Sequence, residues 1–282
     1  MSAPPFDRRR TPINDRVAAA HLAAQAEGRT VTAGRLGQVT VPVTDLRRAP
    51  DGPRDRQLLL GATVQIFDQY AGWCFVQAAQ DGYVGYVATT DVVGTPAEAT
   101  HWVSAPASHA YTEADFKSPE RMALSFGSQI RVEAQGARFA KTPWGYVPHA
   151  HLRPLDARTS DPVAVAEMFL GTPYLWGGNS RWGIDCSGLI QAACLACGIE
   201  CPGDSDQQEA ELGAPCEPGA SYQRGDLLFW KGHVGIMADA DRLLHANVFH
   251  MAVAFENIHA AITRIAAQGD GPVTAHKRLS TG

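Results

Sequence analysis

The chain has 282 residues, 45% of them hydrophobic and 19% charged, the profile of an ordinary globular protein long enough for two or three hydrophobic cores. Its formal net charge of -5 argues against nucleic acid or an anionic membrane surface as partner. Nowhere do eighteen apolar residues run together, so no segment is a candidate membrane-spanning helix.

The N-terminal stretch, MSAPPFDRRRTPINDRVAAA, has charge and proline where a signal peptide needs an apolar core of roughly seven to fifteen residues. A cytoplasmic protein is therefore expected. Up to about residue 30 the chain is Ala-rich and reads equally as helix or strand.

From Gly37 to Val93 short apolar runs alternate with Pro, Gly and Asp turns: Val39-Thr40-Val41, Leu58-Leu59-Leu60, Val64-Gln65-Ile66 and Trp73-Cys74-Phe75-Val76, closed by DGYVGYV at 81–87. A second set has Trp102-Val103-Ser104, Gln129-Ile130-Arg131-Val132 and Trp144-Gly145-Tyr146-Val147. A large apolar strand, a turn and Gly-Tyr-Val occur twice, which predicts an internal duplication at a period of roughly sixty residues. Both units resemble bacterial SH3 domains, the first through PDGPRDRQLLLGATV and DGYVGYV, the second through WGYVPHAHL.

Residues 174–189 read YLWGGNSRWGIDCSGL, a glycine-rich approach to a cysteine set between an aspartate and a Ser-Gly pair. A thiol attacks as thiolate, so it needs an imidazole partner, a helix N-terminus, or both. After Asp185, a plausible N-cap, the sequence turns apolar with helical spacing, which places Cys186 in the first turn among unpaired backbone N–H groups. Those groups also suit an oxyanion. His233 follows 47 residues after Cys186, and His245 comes 12 later. They lie in strand-like runs, 225–230, 233–237 and 242–246, joined by short polar turns. Antiparallel pairing across Asp239-Ala240-Asp241 would bring His245 beside His233, as general base and orienting residue. Tyr174 and Trp176 also read as ordinary core aromatics.

YLWGG, DCSGL, GDLLFW followed by HVGI, and LLHAN resemble, in order and spacing, the NlpC/P60 family of cell-wall cysteine peptidases over roughly residues 158–280. The resemblance implies an α+β fold, with a papain-like catalytic domain (157–282) preceded by two small SH3-like β-barrels (1–96, with the N-terminal segment, and 97–156). It implies Cys186 as nucleophile, His233 as base and His245 as orienting residue. It also implies that Tyr174 reaches the catalytic site and that Asp185, Ser187 and Ser205 line the substrate groove. Relatives have Pro-Arg ahead of that serine; here CPGDSDQQ places Gly203 at the arginine.

Two SH3-like domains ahead of such a peptidase resemble the cytoplasmic γ-D-glutamyl-L-diamino acid endopeptidases of murein recycling. These release L-Ala-γ-D-Glu from a murein tripeptide or tetrapeptide whose alanine amine is free. A buried ammonium must meet acceptors; Asp185 supplies one charge, and Asp55 with Tyr83 or Tyr86 of the first SH3-like domain is the candidate for another. No cofactor, nucleic acid or membrane partner is expected, and the oligomeric state is open. Three other readings stay alive: a noncatalytic binding protein for wall fragments, a different acyl-transfer enzyme on the same scaffold such as an amidase or transacylase acting on lipids, and an exported general peptidoglycan endopeptidase. Cys74, Cys186, Cys194, Cys197, Cys201 and Cys216 are expected as free thiols, with no metal. A zinc site from Cys194, Cys197, Cys201 and Cys216 is the alternative.

Overall fold

The computed structural model describes residues 6–279, and its chain divides into two compact units, one up to Leu155 and one from Asp156. In the first unit the Ala-rich stretch becomes β1 (Val17–Ala19), a 3-10 segment and β2 (Thr30–Thr32), with β1 and β2 parallel. It packs on the following sheet: Val17 joins Phe75 and Val84 in one apolar cluster, and the Val84 N–H donates to the Arg9 carbonyl at 2.7 Å.

The first antiparallel sheet comprises β3 (Arg35–Val39), β4 (Val43–Arg47), β5 (Arg54–Leu59), β6 (Thr63–Tyr70), β7 (Trp73–Ala78), β8 (Val84–Ala88) and β9 (Val92–Val93), in the order β5-β4-β8-β7-β6-β3-β9. Alternation drives it: Leu46, Leu58, Val64, Ile66, Cys74, Val76 and Val87 point into one core. The expected run Val39-Thr40-Val41 is split, because the chain turns at 40–42 and Pro42 has no N–H for a ladder.

The second set comprises β10 (His101–Val103), β11 (Ala107–Tyr111), β12 (Glu120–Ser125), β13 (Gln129–Ile130), β14 (Ala134–Gln135), β15 (Phe139–Thr142), β16 (Gly145–Pro148) and β17 (Leu152–Pro154). Its pairings repeat those of the first set. β3 pairs with β6 and β9, and β10 with β13 and β17. β4 joins β5 and β8, as β11 joins β12 and β16. Even the register shift recurs, between Leu46 and Arg47 and between Ala110 and Tyr111, 64 residues on. The expected strand 129–132 ends at Ile130, since the Val132 N–H turns to the Thr100 hydroxyl instead of a neighbouring strand.

In the second unit, α1 (Pro162–Glu167) is capped by Asp161, which accepts from the Val163 and Ala164 N–H groups. The hairpin β18 (Asn179–Ser180) and β19 (Gly183–Ile184) leads into α2 (Cys186–Ala196), then α3 (Ser205–Glu211). A six-stranded antiparallel sheet follows from β20 (Ala214–Pro215), β21 (Asp226–Trp230), β22 (His233–Met237), β23 (Arg242–Asn247), β24 (Ala252–Asn257) and β25 (Ala275–Arg278), ordered β20-β25-β21-β22-β23-β24. Between β24 and β25 runs α4 (Ile258–Gln268), whose Ile258, Ala261 and Ile265, spaced three and four apart, pack on Leu228, Trp230, Met237 and Leu243. Nine of the eleven residues of α2 are buried, because it packs on both α1 and strands β22 and β23. Among the described residues no helix is long and apolar enough to cross a membrane.

Candidate active site

Asp185 caps α2 and organises its start. Its Oδ1 accepts from the Gly188 N–H at 2.6 Å and the Ser187 hydroxyl at 3.0 Å, and its Oδ2 accepts from the Gly177 N–H at 2.9 Å. The capping aspartate thus ties the glycine-rich approach to the first helical turn. Gly188 has a steric reason to be glycine: a Cβ there would lie 2.5 Å from the Gly178 carbonyl oxygen.

Cys186 is the first residue of α2 and 7% exposed. Its sulfur accepts from the backbone N–H of Val234, which places the thiol at the start of β22 beside His233 in the chain. Burial pushes this thiol up to about 12, and the Asp185 charge adds to that; the N–H groups of Val234, Ser187 and Cys186 act the other way. The helix N-terminus does favour a thiolate, as the sequence suggests, but desolvation outweighs it.

His233 Nε2 lies 2.9 Å from His245 Nδ1. The register Ile236↔Leu244 and Met237↔Leu243 makes this meeting possible, with Gly235 opposite the strand that carries His245. A Cβ at Gly235 would stand 2.8 Å from Leu243 Cδ1 and 3.1 Å from His245 Cβ, so the bare glycine lets the imidazole sit against the neighbouring strand. Burial lowers His233 to about 3, helped by the positive charges of His245 and Arg264 and opposed by Glu256. Thiol and imidazole are therefore both neutral in the substrate-free site.

Behind His245 the chain of contacts continues. Its Nε2 lies 3.1 Å from Glu256 Oε2, and Arg264 grips the same carboxylate with Nε to Oε1 at 2.8 Å and Nη2 to Oε2 at 2.7 Å. Burial opposes ionisation of Glu256, yet the hydrogen bonds from Arg264 and His245 prevail and bring it to about 2. Neither Glu256 nor Arg264 stands out in the sequence. Glu256 is one acid in a mixed strand, and the eight residues to Arg264 span a strand-to-helix junction whose angle sequence spacing does not reveal.

Tyr174 donates its N–H to the Met251 carbonyl at 2.9 Å, which fixes the segment beside β24. Burial raises its phenol, and the charges of Cys186 and Asp185 raise it further, so the ring stands close to both. Trp176 is 69% exposed, which removes it from the core. Ser205 opens α3, and Gln208 of that helix donates to the carbonyls of Ser187 and Pro202, both at 2.9 Å, tying α3 to the start of α2. Gly203, two residues before Ser205, is buried.

The B. subtilis (strain 168) gamma-D-glutamyl-L-lysine dipeptidyl-peptidase is 30% identical to this chain over 216 residues, 67% of this chain and 71% of that protein. The chain belongs to the NlpC/P60 family. The NlpC/P60 family model matches residues 171–266, and that of the bacterial dipeptidyl-peptidase SH3 domain matches 46–92. Dipeptidyl-peptidase 6 of Lysinibacillus sphaericus is 29% identical over 221 residues, 68% of this chain and 79% of the relative. The crystal structure of an NlpC/P60 family protein from Bacillus cereus ATCC 10987 shares the fold, with a TM-score of 0.71 at 18% identity over 86% of this chain and 99% of that one. The protein is thus a cysteine peptidase, of α+β class, with an N-terminal SH3-like domain.

In this NlpC/P60 peptidase the two residues singled out in the first SH3-like sheet are otherwise engaged. Asp55 has Arg8 Nη1 at 2.7 Å from Oδ2 and Arg48 Nη2 at 2.9 Å from Oδ1, so an ammonium would have to displace a guanidinium to reach it. Tyr83 is 3% exposed and belongs to the sheet's apolar core. All six cysteines are free thiols. Among the described residues, Cys194, Cys197, Cys201 and Cys216 do not converge as metal ligands. Two other groups bring three ligand atoms within 4.8 Å of one another: His245, His250 and Glu256, and Cys216, Asp226 and His276. Each already holds a guanidinium, Arg264 on Glu256 and Arg278 on Asp226, whose charge opposes a cation.

Proposed function

We propose that this peptidase hydrolyses the bond between γ-linked D-Glu and a diamino acid in short murein peptides with a free N-terminal L-Ala, releasing L-Ala-γ-D-Glu. The observation that carries the reading is the thiol at the start of α2, beside the first residue of β22, with His233 hydrogen-bonded to His245. The relatives' names, which specify dipeptidyl-peptidases and in one case the γ-D-glutamyl-L-lysine bond, supply the substrate class.

Cys186 is the nucleophile, His233 the base and His245 the orienting residue. With Nε2 engaged by His245, the nitrogen of His233 left for chemistry is Nδ1. Because the free thiol is neutral, its proton passes to Nδ1 as sulfur attacks the γ-carbonyl of D-Glu. The N–H groups at the start of α2 receive the oxyanion. The C–N bond then breaks, Nδ1 returns the proton to the departing amine, and a thioester remains. Water attacks that thioester with His233 taking its proton, and the thiol and the dipeptide are released. Tyr174, Ser187 and Ser205 line the groove, and Asp185 offers its charge to the substrate ammonium. Asp55 and Tyr83, already committed elsewhere, are given no part.

Mass-spectrometric digestion of L-Ala-γ-D-Glu-meso-diaminopimelate beside its N-acetylated form, with wild type and Cys186→Ala, tests this. Cleavage of the free-amine peptide alone, lost in the variant, is expected. Equal cleavage of both would point to a general wall endopeptidase, and cleavage of neither to a binding protein. The reading extends to a cytoplasmic role in peptide recycling, which fails if cell fractionation finds the protein outside the membrane.

A further inference from the structure

The two imidazoles of the site form a directional chain whose far end is a carboxylate. A neutral imidazole has one N–H and one lone pair, so fixing the hydrogen bond at one nitrogen fixes the other. Glu256 is gripped through both oxygens by Arg264, which is itself held by Gln268 Oε1 at 2.7 Å and lies over the Phe249 ring at 4.6 Å. An ionised carboxylate only accepts, so the 3.1 Å contact at His245 Nε2 requires an N–H there. His245 Nδ1 is then a lone pair, and the 2.9 Å contact to His233 Nε2 requires the N–H on His233. His233 Nδ1 is left as the lone pair.

We propose that Glu256 is a positioning residue that sets the tautomer of His245 and, through it, that of His233, so that His233 presents a basic Nδ1 to Cys186. The proposal rests on the roles assigned above to Cys186, His233 and His245. Its reach is confined to the groups facing these rings: Glu256 from β24, Arg264 from α4 and His250 from the 248–251 turn around His245, and His245, Arg264 and Glu256 around His233.

Glu256→Gln is the discriminating variant. Arg264 donates to both oxygens of Glu256, so an amide carbonyl at the Oε2 place keeps the native tautomer, whereas one at the Oε1 place turns the NH₂ toward His245 and asks its Nε2 to accept. In that second case the chain reverses: His245 carries its proton on Nδ1, His233 accepts at Nε2, and His233 Nδ1 becomes an N–H with no lone pair for the thiol. Two-bond ¹H–¹⁵N spectra of histidine-labelled protein read tautomers without any substrate. In the wild type both rings are expected as Nε2–H, and in Glu256→Gln both as Nδ1–H where the chain reverses. On the free-amine tripeptide, kcat is expected to fall by up to about 10⁴-fold in the reversed chain, the order seen when a base is held in the wrong tautomer, with KM changed less than about twofold. In a His245→Ala background the same substitution is expected to add little, since its route to His233 has been cut.

The proposal is overturned if kcat falls in Glu256→Gln while both rings keep Nε2–H, if kcat is kept while both become Nδ1–H, or if the loss is equal in the His245→Ala background. If Glu256→Gln does not fold, Glu256→Asp keeps the charge and is expected to keep both Nε2–H tautomers; Nδ1–H there would be equally fatal. Should the wild type fail to cleave the tripeptide, the substrate reading falls, but the tautomer spectra still decide the role of Glu256.

Discussion

Cys186 and His233 sit in opposed positions on the proton scale, the thiol raised to about 12 and the imidazole lowered to about 3, because burial penalises the charged form of each. Alkylation of the free enzyme reads this directly, since only thiolate reacts. The rate of carbamidomethylation at Cys186 by iodoacetamide, followed by peptide mapping, is expected to climb continuously from pH 7 to 10. A plateau beginning near pH 5 would instead mean a resting thiolate–imidazolium pair. At this scale the sequence was informative wherever chemistry and spacing coincided: Cys186, His233 and His245 are each marked by unusual neighbours. It was silent on Glu256 and Arg264, which belong to the site only through the fold. It also did not reveal that Asp55 is ion-paired with Arg8 and Arg48, partners seven or more residues away in the chain.

Elements make the site by their ends and by their smallest residues. α2 begins where Asp185 caps it, and the thiol meets β22 there because Gly188 allows the Gly178 backbone to come close. β22 and β23 present their histidines to each other because Gly235 leaves room. Gly235→Ala places a methyl against the Leu243 side chain and His245 Cβ, and overpacking of that kind costs about 1–3 kcal/mol. The expected result is a Tm lowered by a few degrees and a kcat reduced at least about tenfold, since small displacements of a catalytic group are expensive. Thermal melts and steady-state kinetics on the same preparation check it; a lowered Tm with unchanged kcat would show that the strand absorbs the strain without moving His245. Sequence alternation located these strands, but not β11 and β12, where ASHAY and ERMALS offer little large apolar contrast.

For the whole molecule, several buried groups pull stability in one direction with pH. His233 and His245 stay neutral in the fold while unfolded histidines protonate below about 6.5, so the unfolded chain binds more protons and stability falls as pH drops from 6.5 toward 3. Glu256 stabilises the fold above the ordinary carboxylate range, and that contribution is lost as pH falls toward 2. Asp226 acts alike: burial opposes its charge, but Arg278 and His276 hold it below its usual range. Calorimetry is expected to give a Tm flat above pH 7, lower by roughly 10 °C at pH 4.5 and falling more steeply below; a Tm constant down to pH 5 would contradict the neutral buried histidines. The duplicated β units, the N-cap of the nucleophile helix and the motif residues of a cysteine peptidase were determined by the sequence alone, because turn chemistry, two-residue alternation and short motifs are local properties of the chain. The path of the Ala-rich N-terminal stretch onto the first sheet, the neutrality of the thiol and imidazole, and the Glu256–Arg264 support behind His245 were decided only by the tertiary structure. Desolvation depends on which neighbours exclude water, and hydrogen-bond direction on which strand and helix meet, and both are set by contacts between residues far apart in the chain.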